Sequence, residues 1–212
     1  MGKSDFQIIA FMQFECALCN TATIQEICRL NKLKCCMGIL TPAHYAKLFA
    51  DDDRTTGIWI GVPLQISTSA ECIPFRFGEQ SFVMLFGEPA HEVGDQETVE
   101  AFAPNWSGGF VPILESRIVK FFHAFAEDDI FDPNKWHLSN PKHIYQFAEV
   151  LRDVLLQHVN TYENIQQYFY LAASPALERF YARIFKEIPK ESALKAFERI
   201  TYPLGDFHGY QR

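Results

Sequence analysis

The chain has 212 residues, of which 48% are hydrophobic and 15% aromatic, including 20 Phe. This composition excludes a disordered chain, and the length predicts a core sufficient for one large domain or two small ones. The formal net charge of -7, from 19 Lys and Arg against 26 Asp and Glu, leaves no basic stripe for a phosphate backbone, so we expect no nucleic-acid partner.

The N-terminal residues predict neither export nor membrane insertion. Residues 1–5 contain a single basic residue, and Gln7 and Gln13 interrupt the short apolar stretch that follows. Such a stretch is too short and too polar for a secretory signal or a membrane span. We therefore expect a cytoplasmic protein with no membrane association, whose six cysteines are held as reduced thiols.

Strand and helix patterns alternate along the first half of the chain. Apolar residues occupy both odd and even positions over 6–14, which favours a strand buried on both faces. Thr41-Pro42 has the form of a helix start. The predicted order is a strand over 6–14, a helix after Cys19, a strand over 34–40, a helix from Thr41, a β-hairpin over 56–78, and a segment over 82–86 that fits either strand or helix.

Beyond about residue 88 the pattern changes. Pro89, Gly94 and Asp95 form a linker-like segment, and apolar residues then recur at steps of three and four, as Leu177, Phe180 and Tyr181 do. The predicted helices span 113–125, 143–159, 163–171, 175–188 and 191–200. The sequence thus predicts an N-terminal domain over 1–90 and a helical domain over 97–212.

The cysteines are the clearest sign of chemistry in this sequence. Five of the six lie between Cys16 and Cys36, and the first two form Cys16-Ala17-Leu18-Cys19 after the first predicted strand. At a strand-to-helix junction the helix N-terminus favours thiolate over thiol. Cys16 could then attack a disulfide or an electrophile and Cys19 could resolve the mixed disulfide, although the neighbouring Glu15 opposes thiolate formation.

Two other interpretations of the cysteines stay open. Cysteine is among the most buried residue types, so a purely structural role is a strong alternative. Cys16 and Cys19 also have the spacing of half a zinc site, which Cys28, Cys35, Cys36 or His44 would have to complete. The second half of the chain supplies no further Cys-x-x-Cys, so we expect no metal.

The order of these motifs resembles the thioredoxin-like fold. The resembling features are a strand, Cys16-x-x-Cys19 at the mouth of a helix, another strand and helix, and then Val62-Pro63 before a hairpin. In that family the proline before the third strand is cis and faces the cysteine pair. The resemblance therefore implies that Val62 and Pro63 lie against Cys16 and contribute to substrate binding.

With its helical second half, the chain is similar to the cytosolic glutathione transferases. Gln80-Ser81 is similar to the segment in which those enzymes hold the γ-glutamyl end of glutathione, and residues 174–184 are similar to their closing helices. The resemblance implies glutathione as cofactor and a homodimer. It also implies an α/β N-terminal domain, with a mixed sheet and flanking helices, followed by an all-helical C-terminal domain.

Two functions follow as hypotheses. The first is a thiol-dependent oxidoreductase or glutathione transferase-like enzyme, with Cys16 and Cys19 acting on a small thiol or disulfide substrate. The alternative is a non-enzymatic acidic interaction protein, an inhibitor or immunity-type binder, in which the cysteines are structural. Its basic protein partner would meet the acidic runs over 51–53 and 127–129.

Overall fold

The computed structural model describes residues 47–52, 56–89, 112–124, 142–171, 175–186, 188–201 and 207–212. Within these residues the dominant element is an eight-stranded mixed sheet. Its strands are β1 (Ile58–Ile60), β2 (Leu64–Ser67), β3 (Ala70–Phe77), β4 (Gln80–Gly87), β5 (Ser116–His123), β6 (Gln167–Leu171), β7 (Glu198–Arg199) and β8 (Phe207–Gln211). The helices are α1 (Lys142–Thr161), α2 (Pro175–Lys186) and a 3-10 helix (Ala193–Ala196).

The strands follow the order β1-β3-β4-β5-β6-β8-β7, and β2 pairs with the other end of β3, beside β1. Strands β5 and β6 are parallel, whereas the other neighbours are antiparallel. Parallel neighbours need a crossover connection, and the chain between β5 and β6 includes α1. This crossover places α1 against the centre of the sheet.

The hairpin formed by β3 and β4 is the middle of the sheet. It turns through Gly78, whose φ of 63° lies in the left-handed region that glycine adopts without steric cost. Nearly every residue of both strands is buried. The hairpin is therefore covered on both faces, which requires apolar side chains at odd and even positions alike.

Two apolar clusters cover the two faces. The larger lies between the sheet and the two α-helices, and it includes Ile73, Phe75, Met84, Phe86, Phe147, Leu151 and Tyr181. The smaller lies on the opposite face, where Leu48 and Phe49 pack with Cys72, Val83, Leu85 and Phe122. Because side chains alternate between the faces of a strand, neighbouring residues such as Glu71 and Cys72 point to opposite sides.

Helix α1 is amphipathic. Phe147, Leu151, Val154 and His158 recur at helical spacing on its buried face, while Glu149 and Asp153 face solvent. Although α1 has 20 residues, charged groups on its outer face distinguish it from a bilayer-crossing segment. No helix in the described parts of the chain combines the length and the apolar character that a membrane span needs.

The predicted fold class is wrong. Instead of a thioredoxin-like domain followed by an all-helical domain, the described residues form mostly a mixed sheet with two α-helices. Strands from the second half of the sequence join those of the first half, since β4 pairs with β5 over six residues from Phe82↔His123 to Gly87↔Ile118. The predicted strands and helices over 6–46 lie outside the described residues.

Some of the individual helices and strands were predicted correctly, and others were not. The helices predicted over 143–159 and 175–188 are confirmed as α1 and α2. Those predicted over 113–125 and 163–171 are wrong, because these segments contain β5 and β6, and 191–200 holds the 3-10 helix and β7. The ambiguous segment over 82–86 is strand β4.

Candidate functional site

A cluster of polar side chains lies beneath the C-terminal half of α1. It is formed by Glu71 of β3, Arg117 of β5, His158 of α1 and Tyr168 of β6, none of which is more than 6% exposed. Buried charges are rare unless they are paired. The cluster is therefore a candidate functional site.

The strand register brings Glu71 and Arg117 together. Glu71 is opposite Phe86, and Phe86 is opposite Val119, so these three residues form a row across the α1 face of the sheet. Arg117 is two residues from Val119 and shares its face, because side chains two apart on a strand point the same way. Its long side chain reaches diagonally across β4 to Glu71.

The Arg117 guanidinium binds the Glu71 carboxylate through two hydrogen bonds. Nε donates to Oε2 at 2.8 Å and Nη2 donates to Oε1 at 3.0 Å, the fork geometry that makes arginine–carboxylate pairs strong. Nη1 donates to the Ser116 carbonyl at 2.9 Å and lies 3.8 Å from the Glu88 carboxylate. All three guanidinium nitrogens therefore have a partner nearby.

The pKa of Glu71 reflects this environment. Burial raises it, but the facing His158 ring and the Arg117 guanidinium outweigh burial and lower the pKa of Glu71 to about 2. His158 Nε2 is 3.6 Å from the nearest Glu71 oxygen, which is beyond hydrogen-bond range. The carboxylate is thus stabilised by the facing His158 ring together with the two short hydrogen bonds from Arg117.

His158 is enclosed on every side. Its ring stacks on Phe86 with centroids 3.6 Å apart, its Nδ1 is 2.8 Å from the Tyr168 hydroxyl, and its Nε2 has no hydrogen-bond partner among the described residues. Burial is the main cause that lowers the pKa of His158 and raises the pKa of Tyr168. His158 is thus neutral near pH 7, and Tyr168 keeps its proton.

These protonation states fix the tautomer of His158. Tyr168 donates its hydroxyl proton to Nδ1, which leaves the ring hydrogen on Nε2, facing Glu71. The other tautomer would turn a lone pair toward a carboxylate and is disfavoured. The resulting chain of contacts, from Tyr168 through His158 and Glu71 to Arg117, connects β6, α1, β3 and β5.

The burial of this cluster limits the reactions that its side chains can catalyse. A general base must come within hydrogen-bond distance of the proton that it takes from a substrate, yet His158 is 0% exposed and Glu71 2% exposed. The more accessible neighbour is Glu88, whose side chain is 18% exposed. The cluster is thus suited to stabilising the packing of β3, β5, β6 and α1 against one another.

The structure places the sequence-predicted substrate-binding residues apart from one another. Val62 and Pro63 lie in the connection between β1 and β2, where Val62 is 71% exposed. The described residues contain no cis peptide bond, so the bond before Pro63 is trans, unlike the cis bond that the thioredoxin resemblance implies. Cys16 and Cys19 lie outside the described residues.

Gln80 and Ser81 begin β4, on the other side of β3 from β1 and its connection to β2. Gln80 is opposite Phe77 and Ser81 is opposite Arg76. Ser81 is buried, and its carbonyl accepts a hydrogen bond from the Ala124 N–H at 2.8 Å. Because β3 separates them, the structure does not bring Val62 and Pro63 together with Gln80 and Ser81.

Metal ligation and thiol reactivity have little basis in the described part of the chain. No group of three or more His, Cys, Asp or Glu residues there is placed to hold a metal ion. The described cysteine, Cys72, is buried on the face opposite α1. Burial, and to a lesser extent Glu71, raises the pKa of its thiol to about 12, which makes it unreactive.

The sequence interpretation missed the whole polar cluster. A usable signal was present, since Glu71 and Arg117 each interrupt a run of residues with strong strand character, in Ala70-Glu71-Cys72-Ile73 and Ser116-Arg117-Ile118-Val119. A charge inside a buried strand indicates a buried ion pair, although Glu115 and Lys120 flank the second segment. What the sequence did not reveal is which acid pairs with which base.

Comparisons of the chain with protein-family models, with curated proteins and with solved structures find no match.

Proposed function

We propose that this chain is a non-enzymatic binding protein whose acidic surface recognises a basic protein partner. The observation that carries this proposal is the enclosure of the Glu71–Arg117–His158 cluster. These ionisable groups pair with one another in the core instead of lining an open cleft. The ionisable side chains of this cluster are therefore engaged in stabilising the fold.

The overall charge supports the same proposal. A net charge of -7 attracts a cationic partner over long range and raises the rate of association with it. Of the acidic run over 51–53, Asp52 has a buried side chain, whose Oδ2 accepts a hydrogen bond from Arg76 Nε at 2.7 Å. Asp51 is exposed. Residue 53 and the second run, over 127–129, lie outside the described residues.

Asp51 lies near the edge strand β1, around which apolar and acidic side chains are exposed. Phe49 packs against Trp59 with ring centroids 6.0 Å apart, which places the 47–52 segment next to β1. On or next to β1, Ile58 is 49% and Val62 71% exposed. Glu79 is exposed in the adjacent β3–β4 turn, whose Gly78 carbonyl accepts a hydrogen bond from the Gly57 N–H at 3.0 Å.

Strand β1 lies at the end of the strand order, at an edge of the sheet. The 47–52 segment packs on the face opposite α1, and Ile58 shares the α1 face with Ile60. We name the four residues around this edge, Asp51, Ile58, Val62 and Glu79, the β1 surface. Exposed apolar side chains with charged neighbours are typical of protein–protein contact sites. The two carboxylates favour a partner that presents Lys or Arg around an apolar contact. This surface is the one on which the proposal can be tested directly.

The test uses a photo-crosslinking amino acid placed at Val62 in the full chain. A matched control carries the same amino acid at Lys190, which is exposed between α2 and the 3-10 helix. A partner crosslinked from position 62 but not from position 190 is then purified, and its affinity for the unmodified chain is measured. Crosslinking in a lysate does not by itself support the proposal; binding between the two purified proteins is required.

Charge reversal gives the decisive comparison. The D51K/E79K variant should bind the purified partner at least about tenfold more weakly, with reduced dependence on salt concentration. The control E163K/E191K reverses two exposed carboxylates outside the β1 surface and should bind nearly as the parent does. Equal loss in both variants, or no loss in either, would overturn the proposal for this surface.

The thiol-dependent function stays a prediction that a separate experiment addresses. Alkylation of the native protein across pH should modify its six thiols slowly if the cysteines are structural. One fast-reacting thiol of depressed pKa that disappears in Cys16→Ser would instead support the enzyme and contradict a non-enzymatic role.

A further inference from the structure

The outer face of α2 carries two arginines one helical turn apart. Arg179 and Arg183 are both exposed, and residues four apart lie on the same face of a helix. The inner face of α2 packs on the sheet, where Tyr181 meets Tyr170 of β6 with ring centroids 4.4 Å apart. The two guanidinium groups therefore lie on one side of a helix that the core holds in position.

The charges of these two arginines are not balanced by the protein itself. In the described parts of the chain, neither Arg179 nor Arg183 contacts a carboxylate, although acidic residues outnumber basic ones by 26 to 19. Four other arginines each contact an Asp or Glu side chain: Arg76, Arg117, Arg152 and Arg199. Like charges four residues apart destabilise a helix, and an anionic ligand would relieve this repulsion.

Tyr145 of α1 orients one of the two guanidinium groups. Arg183 Cζ lies 4.4 Å from the centre of the Tyr145 ring, within the range of a cation–π interaction. Tyr145 is 55% exposed, so this contact lies at the surface. Because the contact is with the ring, the N–H donors of Arg183 have no oxygen acceptor among the described residues. Arg183 is thus held in place with donors available to an anion.

The charge of the arginine pair favours a phosphate group as that anion. Two guanidinium groups carry two positive charges, which a phosphate monoester close to its dianionic form matches and a single carboxylate does not. Arginine also binds phosphate oxygens through paired N–H···O bonds. Glu149 is exposed one turn beyond Tyr145 on α1 and limits the positive region. The row of charges in a nucleic-acid backbone is therefore disfavoured.

The position of the pair favours a phosphate carried by a protein. Small free ligands are held in concave pockets, whereas arginines on an exposed helix suit a phosphorylated side chain of another protein. We propose that Arg179 and Arg183, with Arg183 oriented by Tyr145, form a docking site for a phosphorylated segment of a partner protein. The site is separate from the β1 surface, because α2 binds β7 through Glu178 and Arg199, at the other end of the strand order.

A short peptide with one phosphoserine flanked by glycines tests the proposal on the full chain. In an NMR titration at constant ionic strength, the side-chain signals of Arg179 and Arg183 should shift and saturate. The same peptide without phosphate should bind at least about tenfold more weakly, and R179Q/R183Q should lose a similar factor for the phosphopeptide. The control K190Q/K195Q removes two exposed lysines beyond α2 and should bind within about twofold of the parent.

Tyr145 separates orientation from charge. Tyr145→Ala should weaken phosphopeptide binding by about threefold, whereas Tyr145→Phe keeps the ring and should restore it. If a variant folds poorly, the two peptides compared on the parent still decide. The proposal would be overturned by equal binding of both peptides, by full binding to R179Q/R183Q, or by a single-stranded oligonucleotide that binds more tightly than the phosphopeptide.

Discussion

Arg117 holds both carboxylate oxygens of Glu71 from two strands away, at 2.8 and 3.0 Å, with β4 passing between the two residues. The contact joins residues 46 positions apart in the chain. Because both side chains are buried, their mutual attraction mainly offsets the cost of removing two charges from water. The pair thus joins β3 to β5 beneath α1, and removal of one partner alone is costly.

Replacing one residue of the Glu71–Arg117 pair should lower the free energy of unfolding. Arg117→Met leaves the Glu71 carboxylate buried without its counter-charge, and we expect a loss of about 3–5 kcal/mol in the free energy of unfolding. The measurement is urea denaturation at pH 7, with the slope m compared between variant and parent.

The double variant Glu71→Leu/Arg117→Met should be more stable than Arg117→Met alone, because no unpaired charge remains. Arg152→Met is the matched control, since Arg152 meets Asp153 at 3.3 Å in an exposed pair that we expect to contribute less than about 1 kcal/mol. Similar losses from Arg117→Met and Arg152→Met would contradict the role assigned to the buried pair.

The depressed pKa of Glu71 predicts a loss of stability in acid. The folded protein holds this pKa at about 2, against an ordinary value of 4.5, so the folded state favours the ionised form. The stabilising contribution is complete above about pH 4.5 and is lost as the pH falls toward 2. Its full size is about 3 kcal/mol, from 1.36 kcal/mol per pKa unit.

Urea denaturation between pH 6 and pH 2.5 measures this contribution. Glu71→Gln, although less stable throughout, should show a flatter decline over that range, because it lacks the group that titrates differently in the two states. The exposed Glu163→Gln should reproduce the profile of the parent. Parallel profiles for the parent and Glu71→Gln would show that the carboxylate is not stabilised in the folded state.

The buried His123 predicts a second acid effect, which begins at a higher pH than that of Glu71. Burial lowers the pKa of this residue from 6.5 to about 4, so the unfolded chain takes up the proton first as the pH falls. Stability should therefore decline between pH 6.5 and about 4, by about 2 kcal/mol at pH 5. His158 acts in the same direction, because burial also lowers its pKa.

The expected observation is an NMR titration of the His123 ring with a midpoint near pH 4. In parallel, His123→Gln should lose less stability than the parent between pH 7 and pH 5. A midpoint near 6.5 would place the ring in solvent and remove the basis for this prediction.

Cys72 should be unreactive toward alkylating reagents in the native protein. Its pKa of about 12, against an ordinary 9.0, lowers the thiolate fraction at pH 8 by about a thousandfold, and the side chain is fully buried. Alkylation at pH 8 followed by peptide mass spectrometry should label Cys72 only after the protein is unfolded in urea. Labelling in the native protein at the rate of a free thiol would mean that the β3 face opposite α1 is open.

The sequence predicted the two α-helices because each has one buried and one exposed face. In α1 the buried positions Phe147, Leu151 and Val154 recur at steps of three and four, a pattern that a strand cannot produce. Strand β5 has no comparable signature. Ile118, Phe121 and Phe122 are all buried because the sheet is covered on both faces, and the resulting apolar run also fits a helix.

The polar cluster could not be predicted from the sequence, for a different reason. Glu71 and Arg117 meet through the register of β3, β4 and β5, and His158 joins them from a helix elsewhere in the chain. Such non-local contacts produce no periodic pattern in the sequence. The all-helical second half was misjudged because β5 and β6 were taken for helices. Most of the motifs behind the thioredoxin resemblance lie outside the described residues.

Gly209 lies where β6 and β8 pair, and its replacement by alanine tests the packing there. A Cβ at this position would lie 2.7 Å from two ring carbons of Phe169 and 3.0 Å from Ile200 Cδ1, and Phe169 is fully buried, so its ring has little room to move. Replacing glycine by alanine would otherwise stabilise through the unfolded state by about 0.4–1 kcal/mol. Here the steric clash should dominate, and Gly209→Ala should lose about 1–3 kcal/mol in urea denaturation.

The identity of the clashing group can be checked with a double-mutant cycle. Phe169→Leu removes part of the ring that the new Cβ would strike, at the cost of a smaller buried side chain. Combining it with Gly209→Ala should therefore lose less stability than the sum of the two single changes, because the methyl group occupies space that the ring has left. Strictly additive losses would mean that the alanine methyl does not meet Phe169, and that the β6–β8 pairing differs from the register Phe169↔Gly209.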